Sequence, residues 1–374
     1  MGNECKSCKN TTEEGSTVNL QKEVSRHISS KDSSSDSFTS NNKENKRVHP
    51  NPLDNFDAKS IMKIVKIQSA YRGVKERSLF LGKDLGFSTL SLKEQLMKHL
   101  PKKAKKVNPF NFNLPYILRE MLNKMEPFTF KDHFESIRDL PWGGPYNIKG
   151  NLYIGQFKNG KRHGRGKQLF SNGGYYIGNW NEGKAEGYGR FVHPEKDSYD
   201  GYWKEDMAYG KGSYYQANGA VFSGEWVNDK QQGFGKEVWP DGTEYEGNYD
   251  NGVKNGKGKF KWKDGTTYSG DFKNNKITGK GKYSWIDGRV YVGEWLDNRM
   301  NGKGVFEFPD GKRYEGNYLY DKKHGYGEFF WPDGKVYKGQ WVNGHQDGVG
   351  TIINKDGVQR KAEFAEGKFI KWLN

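Results

Sequence analysis

This chain of 374 residues has little of what a disulfide framework, a membrane span or a thick globular core requires. It has only two cysteines, Cys5 and Cys8, so residues 9–374 carry no thiol chemistry, as expected in a reducing compartment. Hydrophobic residues make up 33% of the chain, and no run of about 18 apolar residues could span a membrane as a helix. The first residues do not form an apolar signal segment. These absences predict a cytoplasmic protein.

The chain is instead rich in aromatic residues (15%) and in glycine (49 residues). A motif of the form Tyr/Phe-x-Gly-x-Trp/Tyr/Phe, followed after some six residues by Gly-x-Gly, recurs nine times at a spacing of 23 residues. A fixed period of this kind indicates units that must stack on their neighbours to bury a core. The leading aromatic residues are Tyr153, Tyr176, Tyr199, Phe222, Tyr245, Tyr268, Tyr291, Tyr314 and Tyr337.

Each repeat is predicted to form two strands, because side chains two residues apart share one face of a strand. Tyr291, Gly293 and Trp295 then point the same way, and the stripe they belong to predicts a packed core; a groove for a partner is the alternative. We therefore predict an elongated all-β antiparallel sheet of stacked hairpins, preceded by a disordered tail and short α-helices. The repeat-core residues are Tyr153, Tyr176, Trp180, Tyr199, Trp203, Trp226, Tyr245, Tyr268, Tyr291, Trp295, Tyr314, Tyr337 and Trp341.

The motif resembles the MORN repeat, the membrane-occupation-and-recognition-nexus family. The resemblance rests on segments such as residues 291–295 (Tyr-Val-Gly-Glu-Trp), 302–304 (Gly-Lys-Gly) and 310–311 (Asp-Gly), and it covers residues 153–359. It implies a stack of MORN hairpins, with roles at the cell cortex, at membrane–cytoskeleton junctions, or in cilia and flagella. One glycine of the repeat is replaced in five copies, by Asp206, Asp229, Asn275, Asn298 and Asp321.

The opposite face of the predicted sheet carries charges of both signs. Basic residues recur on the second strand of the repeat: Lys167, Arg190, Lys211, Lys236, Lys257, Lys259, Lys280, Lys282 and Lys303. Acidic residues recur on the first strand: Asp200, Glu225, Glu246, Asp271, Glu294 and Glu315. Cross-strand pairing of opposite charges favours a self-neutralised, solvated face. A lipid-binding basic stripe is the alternative.

Residues 1–53 are predicted to be a disordered tether, because they are rich in Ser, Asn, Lys and Asp with almost no aromatic residues. Their start resembles an N-myristoylation signal at Gly2, with Cys5 and Cys8 as neighbouring palmitoylation sites. Lys6 stands where that signal asks for Ser or Thr. Two acyl chains would anchor the chain stably, whereas one would hold it only marginally.

Residues 54–106 contain a predicted helix at 57–80 and a basic segment. The helix resembles the IQ motif, Ile-Gln-x-x-x-Arg-Gly-x-x-x-Arg, at Ile67, Gln68, Arg72, Gly73 and Arg77. The resemblance implies binding of calmodulin or a related EF-hand protein. The alternative is a basic amphipathic helix that packs on the repeats or lies on a membrane. The lysine cluster at 102–106 is expected to be a solvated tail, with a nuclear signal or an anionic-lipid patch as the alternatives.

The repeats are expected to be closed at both ends. Residues 107–152 are predicted to form a linker and an N-terminal cap, with aromatic residues such as Phe128 and Phe130 folding over the first repeat. Residues 360–374 are predicted to form a C-terminal capping strand, because Arg360, Ala362 and Phe364 keep the register of a tenth copy. Repeat stacks need such caps.

We expect no catalysis, no cofactor and no metal site. Residues 155–162 and 178–185 approach the spacing of a phosphate-binding loop, but neither provides the Ser or Thr that would hold magnesium. The eight histidines are scattered.

The sequence predicts a non-catalytic scaffold that links a membrane or a cytoskeletal structure, cortical or axonemal, to partners, with calmodulin-type regulation. The alternative is a regulatory adaptor that recruits an enzyme, such as a phosphoinositide kinase, to membranes. Expected partners are calmodulin or a related EF-hand protein, cytoskeletal or axonemal proteins, an anionic lipid membrane and a second copy of the chain, but not nucleic acid. The expected location is the cilium or axoneme, or the cytoplasmic face of the membrane at the cell cortex.

Overall fold

A computed structural model describes residues 98–101, 105–106, 113–131, 137 and 140–374. In these residues, 22 strands form one antiparallel sheet, in which each strand pairs with the next along the chain. The predicted sheet of stacked hairpins is therefore confirmed. The elements are β1 (Lys105–Lys106), α1 (Tyr116–Lys124), β2 (Trp142–Ile148), β3 (Asn151–Lys158), β4 (Lys161–Leu169), β5 (Tyr175–Asn181), β6 (Lys184–Val192), β7 (Ser198–Lys204), β8 (Met207–Tyr215), β9 (Val221–Val227), β10 (Lys230–Val238), β11 (Glu244–Asp250), β12 (Val253–Lys261), β13 (Thr267–Lys273), β14 (Lys276–Ser284), β15 (Val290–Leu296), β16 (Arg299–Glu307), β17 (Arg313–Leu319), β18 (Lys322–Phe330), β19 (Val336–Val342), β20 (His345–Ile353), β21 (Gln359–Ala365) and β22 (Lys368–Leu373).

The aromatic core is built from rings that lie over bare glycine backbone. In the hairpin β15–β16, Gly293 pairs with Gly304, and a Cβ atom on either residue would overlap the Tyr291 ring. The Tyr291 hydroxyl donates a hydrogen bond to the carbonyl oxygen of Glu294 at 3.0 Å. Gly293 and Gly304 are therefore required by the close approach of the tyrosine ring, whereas Gly302, the first glycine of the Gly-x-Gly pair, has a positive φ of 89°.

The rings continue from one repeat to the next. Trp295 packs edge-to-face against Tyr291 of its own repeat, at 5.2 Å between ring centroids, and against Tyr268 of the preceding repeat, at 5.6 Å. Edge-to-face pairs of this kind add to the stabilisation that burial provides. All thirteen repeat-core residues expose 5% or less of their surface. The aromatic stripe therefore forms a packed core.

The hairpin turns also connect neighbouring repeats. In the turn between β15 and β16, Asp297 and Asn298 both take positive φ values, 49° and 68°, as the tight turns that match strand twist require. The side-chain oxygen of Asn298 accepts a hydrogen bond from the backbone N–H of Ile277, one repeat earlier, at 2.8 Å. The same link is made by Asp206, Asp229, Asn275 and Asp321. The replacement of glycine in these five copies therefore joins consecutive repeats.

Both ends of the sheet differ from the sequence-based expectation. Lys105–Lys106 were expected in a solvated tail, but they form β1 and pair with Asn147 and Tyr146 of β2. Their backbone groups have ladder partners there, which a solvated tail would lack. At the other end, the predicted capping strand is followed by a second strand, so that β21 and β22 form a complete hairpin.

Candidate functional site

The face opposite the aromatic core, here called the second face, is formed by residues that alternate with the core residues along each strand. Residues 113–131 lie on this face over the first repeats. Leu118 of α1 is buried there together with Tyr175, Ile177 and Val192, with further apolar side chains around them. The second face therefore already holds one segment of the chain through apolar contacts.

The extended residues that follow α1 are held by an aromatic stack and by polar contacts. The Phe128 ring stacks on Tyr188 with 5.7 Å between centroids and 16° between planes. The Arg190 guanidinium donates a hydrogen bond to the carbonyl oxygen of Glu126 at 2.7 Å and forms an ion pair with Asp200 at 2.5 Å. The second face thus binds this segment of the chain through the segment's aromatic ring and through its backbone carbonyl group.

Farther along the second face, strands β10–β16 form an open groove of about 800 Å³. Its floor includes the backbone of the paired glycines. This site, the lysine groove, extends from Phe234 to Lys303. The lysines that line it are Lys257, Lys259, Lys280, Lys282 and Lys303.

Two carboxylates near these lysines accept hydrogen bonds from backbone N–H groups, and one of the two, Asp271, also pairs with a lysine of the groove. Asp271 accepts a hydrogen bond from the backbone N–H of Lys280 at 2.9 Å, besides its ion pair with Lys257 at 2.6 Å. Glu294 accepts from the backbone N–H of Lys303 at 3.1 Å. Burial alone would raise the pKa of Asp271, but the hydrogen bonds from Lys257 and the Lys280 backbone lower it. The carboxylates therefore stabilise the glycine bulges of the strands.

The prediction of a self-neutralised face holds for Lys257, which pairs with Asp271, but it is wrong for the other four lysines of the groove. Lys259, Lys280, Lys282 and Lys303 have no carboxylate within 4.0 Å among the residues that the structure describes. Cross-strand register alone does not produce an ion pair, because the facing carboxylate can bind a backbone N–H instead. Elsewhere on the face pairs do form, as for Lys338 and Glu328 at 2.8 Å.

Two lysines contact the aromatic core, and neither was identified as a site residue from the sequence. Lys254 and Lys323 occupy the same repeat position, where other copies have residues such as Ile277 and Met300. Lys254 is buried and pairs with Glu237 at 2.9 Å, whereas no ion pair involves Lys323 among the described residues. The Lys323 amine lies 4.6–5.8 Å from the centroids of four rings, and this burial lowers its pKa to about 8. The rings belong to Phe308, Tyr314, Phe329 and Trp341.

The other predicted sites lie outside the described residues. They are the calmodulin-binding residues Ile67, Gln68, Arg72, Gly73 and Arg77, and the lipidation residues Gly2, Cys5 and Cys8. Within the part of the chain that the structure covers, no group of His, Cys, Asp and Glu is arranged to hold a metal ion. The same part contains no helix with the length and apolar character to cross a bilayer.

The family model described as "MORN repeat" matches nine consecutive segments between residues 153 and 359, which together make up more than half of the chain. This chain belongs to the MORN-repeat family. The matched segments coincide with the hairpins from β3–β4 to β19–β20. The nine MORN repeats therefore form the aromatic core and also the second face with its lysine groove, as in a repeat scaffold for membranes or proteins.

Three solved structures with a detectable likeness to this MORN-repeat protein resemble it weakly. The wild-type TCP10 domain of Danio rerio CPAP is 14% identical, with 55% of this chain and 98% of that chain covered and a TM-score of 0.33. The Drosophila melanogaster SAS-4 TCP domain, in complex with a proline-rich motif of Ana2, is 11% identical, with 41% and 84% covered and a TM-score of 0.29. Virginiamycin B lyase from Staphylococcus aureus is 8% identical, with 58% and 81% covered and a TM-score of 0.13. Similarity at this level carries no functional argument. No curated protein sequence matches the chain.

Proposed function

We propose that this MORN-repeat protein is a non-catalytic scaffold that links a membrane or a cytoskeletal structure, cortical or axonemal, to partners bound on its second face. The observation that carries the proposal is the position of residues 113–131, which occupy the first repeats of that face. A surface that binds one segment by apolar burial, aromatic stacking and a hydrogen bond to its backbone is suited to bind another. The lysine groove on the same face is open to such a partner.

Two features of the sequence before the repeats complete the proposal. The IQ motif at Ile67–Arg77 would bind calmodulin or a related EF-hand protein and so make the scaffold responsive to calcium. Acylation at Gly2, with Cys5 or Cys8, would hold the protein on the cytoplasmic face of a membrane. The cilium or the cell cortex is then the expected location, as the family resemblance implies.

A regulatory adaptor that recruits an enzyme such as a phosphoinositide kinase to membranes is the second candidate. The basic excess of residues 61–106 favours it, because a basic segment attracts anionic membranes.

Affinity purification of the full-length protein from its own cells, with cross-linking and mass spectrometry, tests the proposal. The wild type is compared with Lys259→Glu/Lys282→Glu in the groove and with the control Lys312→Glu/Lys335→Glu at two turns between repeats. We expect cytoskeletal, axonemal or membrane-associated structural proteins with the wild type and the control, and their loss from the groove variant.

Two results would contradict this proposal. A kinase recovered in stoichiometric amount would establish the adaptor instead. Structural partners that bind the groove variant as they bind the wild type would show that the second face at the groove does not hold them.

A further inference from the structure

The charge of the lysine groove selects an anionic occupant. Lys257 pairs with Asp271, but the other four lysines still outnumber the two carboxylates that line the groove, Glu246 and Glu294. Lys259, Lys280 and Lys282 are exposed, so their ammonium groups can reach a bound molecule without rearrangement of the sheet. An acidic ligand would gain both the Coulomb attraction and the hydrogen-bond donors that the protein leaves unused.

The spacing of the lysines fits an extended peptide that crosses the strands. Lys259 on β12 and Lys282 on β14 lie two strands apart, about 10 Å along the sheet. Lys280 on β14 and Lys303 on β16 repeat this interval. In an extended chain of the polyproline II type, which has three residues per turn, carboxylates three residues apart point the same way and lie about 9 Å apart. Acidic residues at every third position of a peptide would therefore meet successive lysines.

The docked residues 113–131 show how the same face receives an apolar side chain. Phe128 stacks on Tyr188, which is the middle residue of a Gly-x-Gly pair. Phe234 occupies the same position two repeats later, at the end of the lysine groove, and 56% of its surface is exposed. Phe234 therefore corresponds to Tyr188, which already binds Phe128, but the Phe234 ring is exposed.

The groove suits a peptide better than a bilayer or a nucleic acid. Glu246 and Glu294 stand among the lysines, so some of a row of evenly spaced phosphates would be repelled by a carboxylate. A peptide can place carboxylates at the lysines and uncharged residues at Glu246 and Glu294. A flat bilayer surface, in turn, would not follow a hollow in the sheet.

We propose that the lysine groove binds an extended acidic segment of a partner protein, with one apolar or aromatic side chain of that segment placed against Phe234. The proposal rests on the scaffold function and names the chemistry of the partner. Residues 113–131 and the acidic segment would then lie on the same face of the sheet at different repeats.

Fluorescence anisotropy with the full-length protein tests this inference. The probe is a fluorescein-labelled peptide with one phenylalanine followed by glutamates at every third position, and the control peptide has lysine in place of each glutamate. We expect the wild type to bind only the acidic peptide. Lys259→Gln/Lys282→Gln should weaken binding roughly tenfold and Phe234→Ala severalfold, whereas Lys312→Gln/Lys335→Gln should bind as the wild type does. Higher salt should weaken binding.

Parallel measurements use vesicles that contain phosphatidylserine and phosphoinositide, and an oligothymidine strand. Binding of either probe through Lys259 and Lys282, without binding of the acidic peptide, would overturn the inference in favour of a membrane or a nucleic acid. Equal peptide binding by the wild type and the groove variant would also overturn it. If no probe binds but purification still recovers partners that depend on the groove, the acidic-peptide chemistry is wrong and the scaffold stands. If that recovery fails as well, both are wrong.

Discussion

The environment of Lys323 predicts that its replacement by methionine should increase the free energy of unfolding at neutral pH, although most substitutions in a core lower it. The amine is enclosed by four aromatic rings and forms no ion pair among the described residues. Its pKa falls from 10.5 to about 8, and each unit corresponds to about 1.4 kcal/mol. The charged form is therefore disfavoured in the folded protein by about 3 kcal/mol. Lys323→Met removes this cost and should stabilise the protein by up to about 3 kcal/mol at pH 7.

The effect should depend on pH in a defined window. An unfolded chain protonates its lysines up to about pH 10.4, whereas Lys323 in the folded protein loses its proton near pH 8. Between these values the unfolded state binds more protons, so the contribution of this residue to stability rises with pH. Below about pH 8 both states are charged and the cost is fully present. The advantage of Lys323→Met should therefore shrink from pH 7 to pH 9.5.

Chemical denaturation of both proteins at the two pH values measures this change. Lys254→Met is the matched control, because it occupies the same repeat position but has Glu237 as a buried partner. Removal of Lys254 leaves that carboxylate without its cation and should destabilise the protein by about 3 kcal/mol. A Lys323→Met protein that is no more stable than the wild type at pH 7, or whose advantage is independent of pH, would refute the reasoning.

The remaining predictions concern the stack and the segment before it. Trp295→Ala should cost about 3–5 kcal/mol; unchanged thermal unfolding would contradict the role of the rings. Asn298→Ala should cost about 1–2 kcal/mol in denaturant unfolding, because a backbone N–H of the preceding repeat loses its acceptor, whereas Asn298→Asp should cost less. Gly2→Ala should move the protein into the soluble fraction; a wild type that mass spectrometry shows to be unacylated would rule out the anchor. A peptide spanning the IQ motif should bind calmodulin with about −8 kcal/mol or better, and Ile67→Ala/Gln68→Ala should weaken it about tenfold by calorimetry; no heat of binding would refute the motif.

The sequence predicted the sheet and its aromatic core because both follow from local periodicity. A tyrosine two residues before a glycine shares its strand face, and the constant spacing keeps this arrangement in every repeat. Tyr291 and Gly293 could therefore be assigned to the core before the structure was known. Trp262 and Tyr283, which are equally buried, do not belong to the leading motif and were missed.

The distribution of charge could not be predicted in the same way. Register places Lys280 opposite Glu294, and an ion pair was the natural expectation. The tertiary structure directs Glu294 to the backbone N–H of Lys303 instead, because the bulge at the glycine pair exposes a donor that the ladder does not satisfy.

The sequence by itself determined the family, the strand pairing and which face of the sheet is buried, since each depends on a pattern that repeats every 23 residues. Only the tertiary structure decided where the second face is covered by residues 113–131, and where its lysines remain unpaired. These outcomes depend on side chains for which several hydrogen-bonding or ion-pair partners, far apart in the sequence, compete. A repeating pattern determines which residues can meet, but the local competition between backbone and side-chain donors determines which of them do.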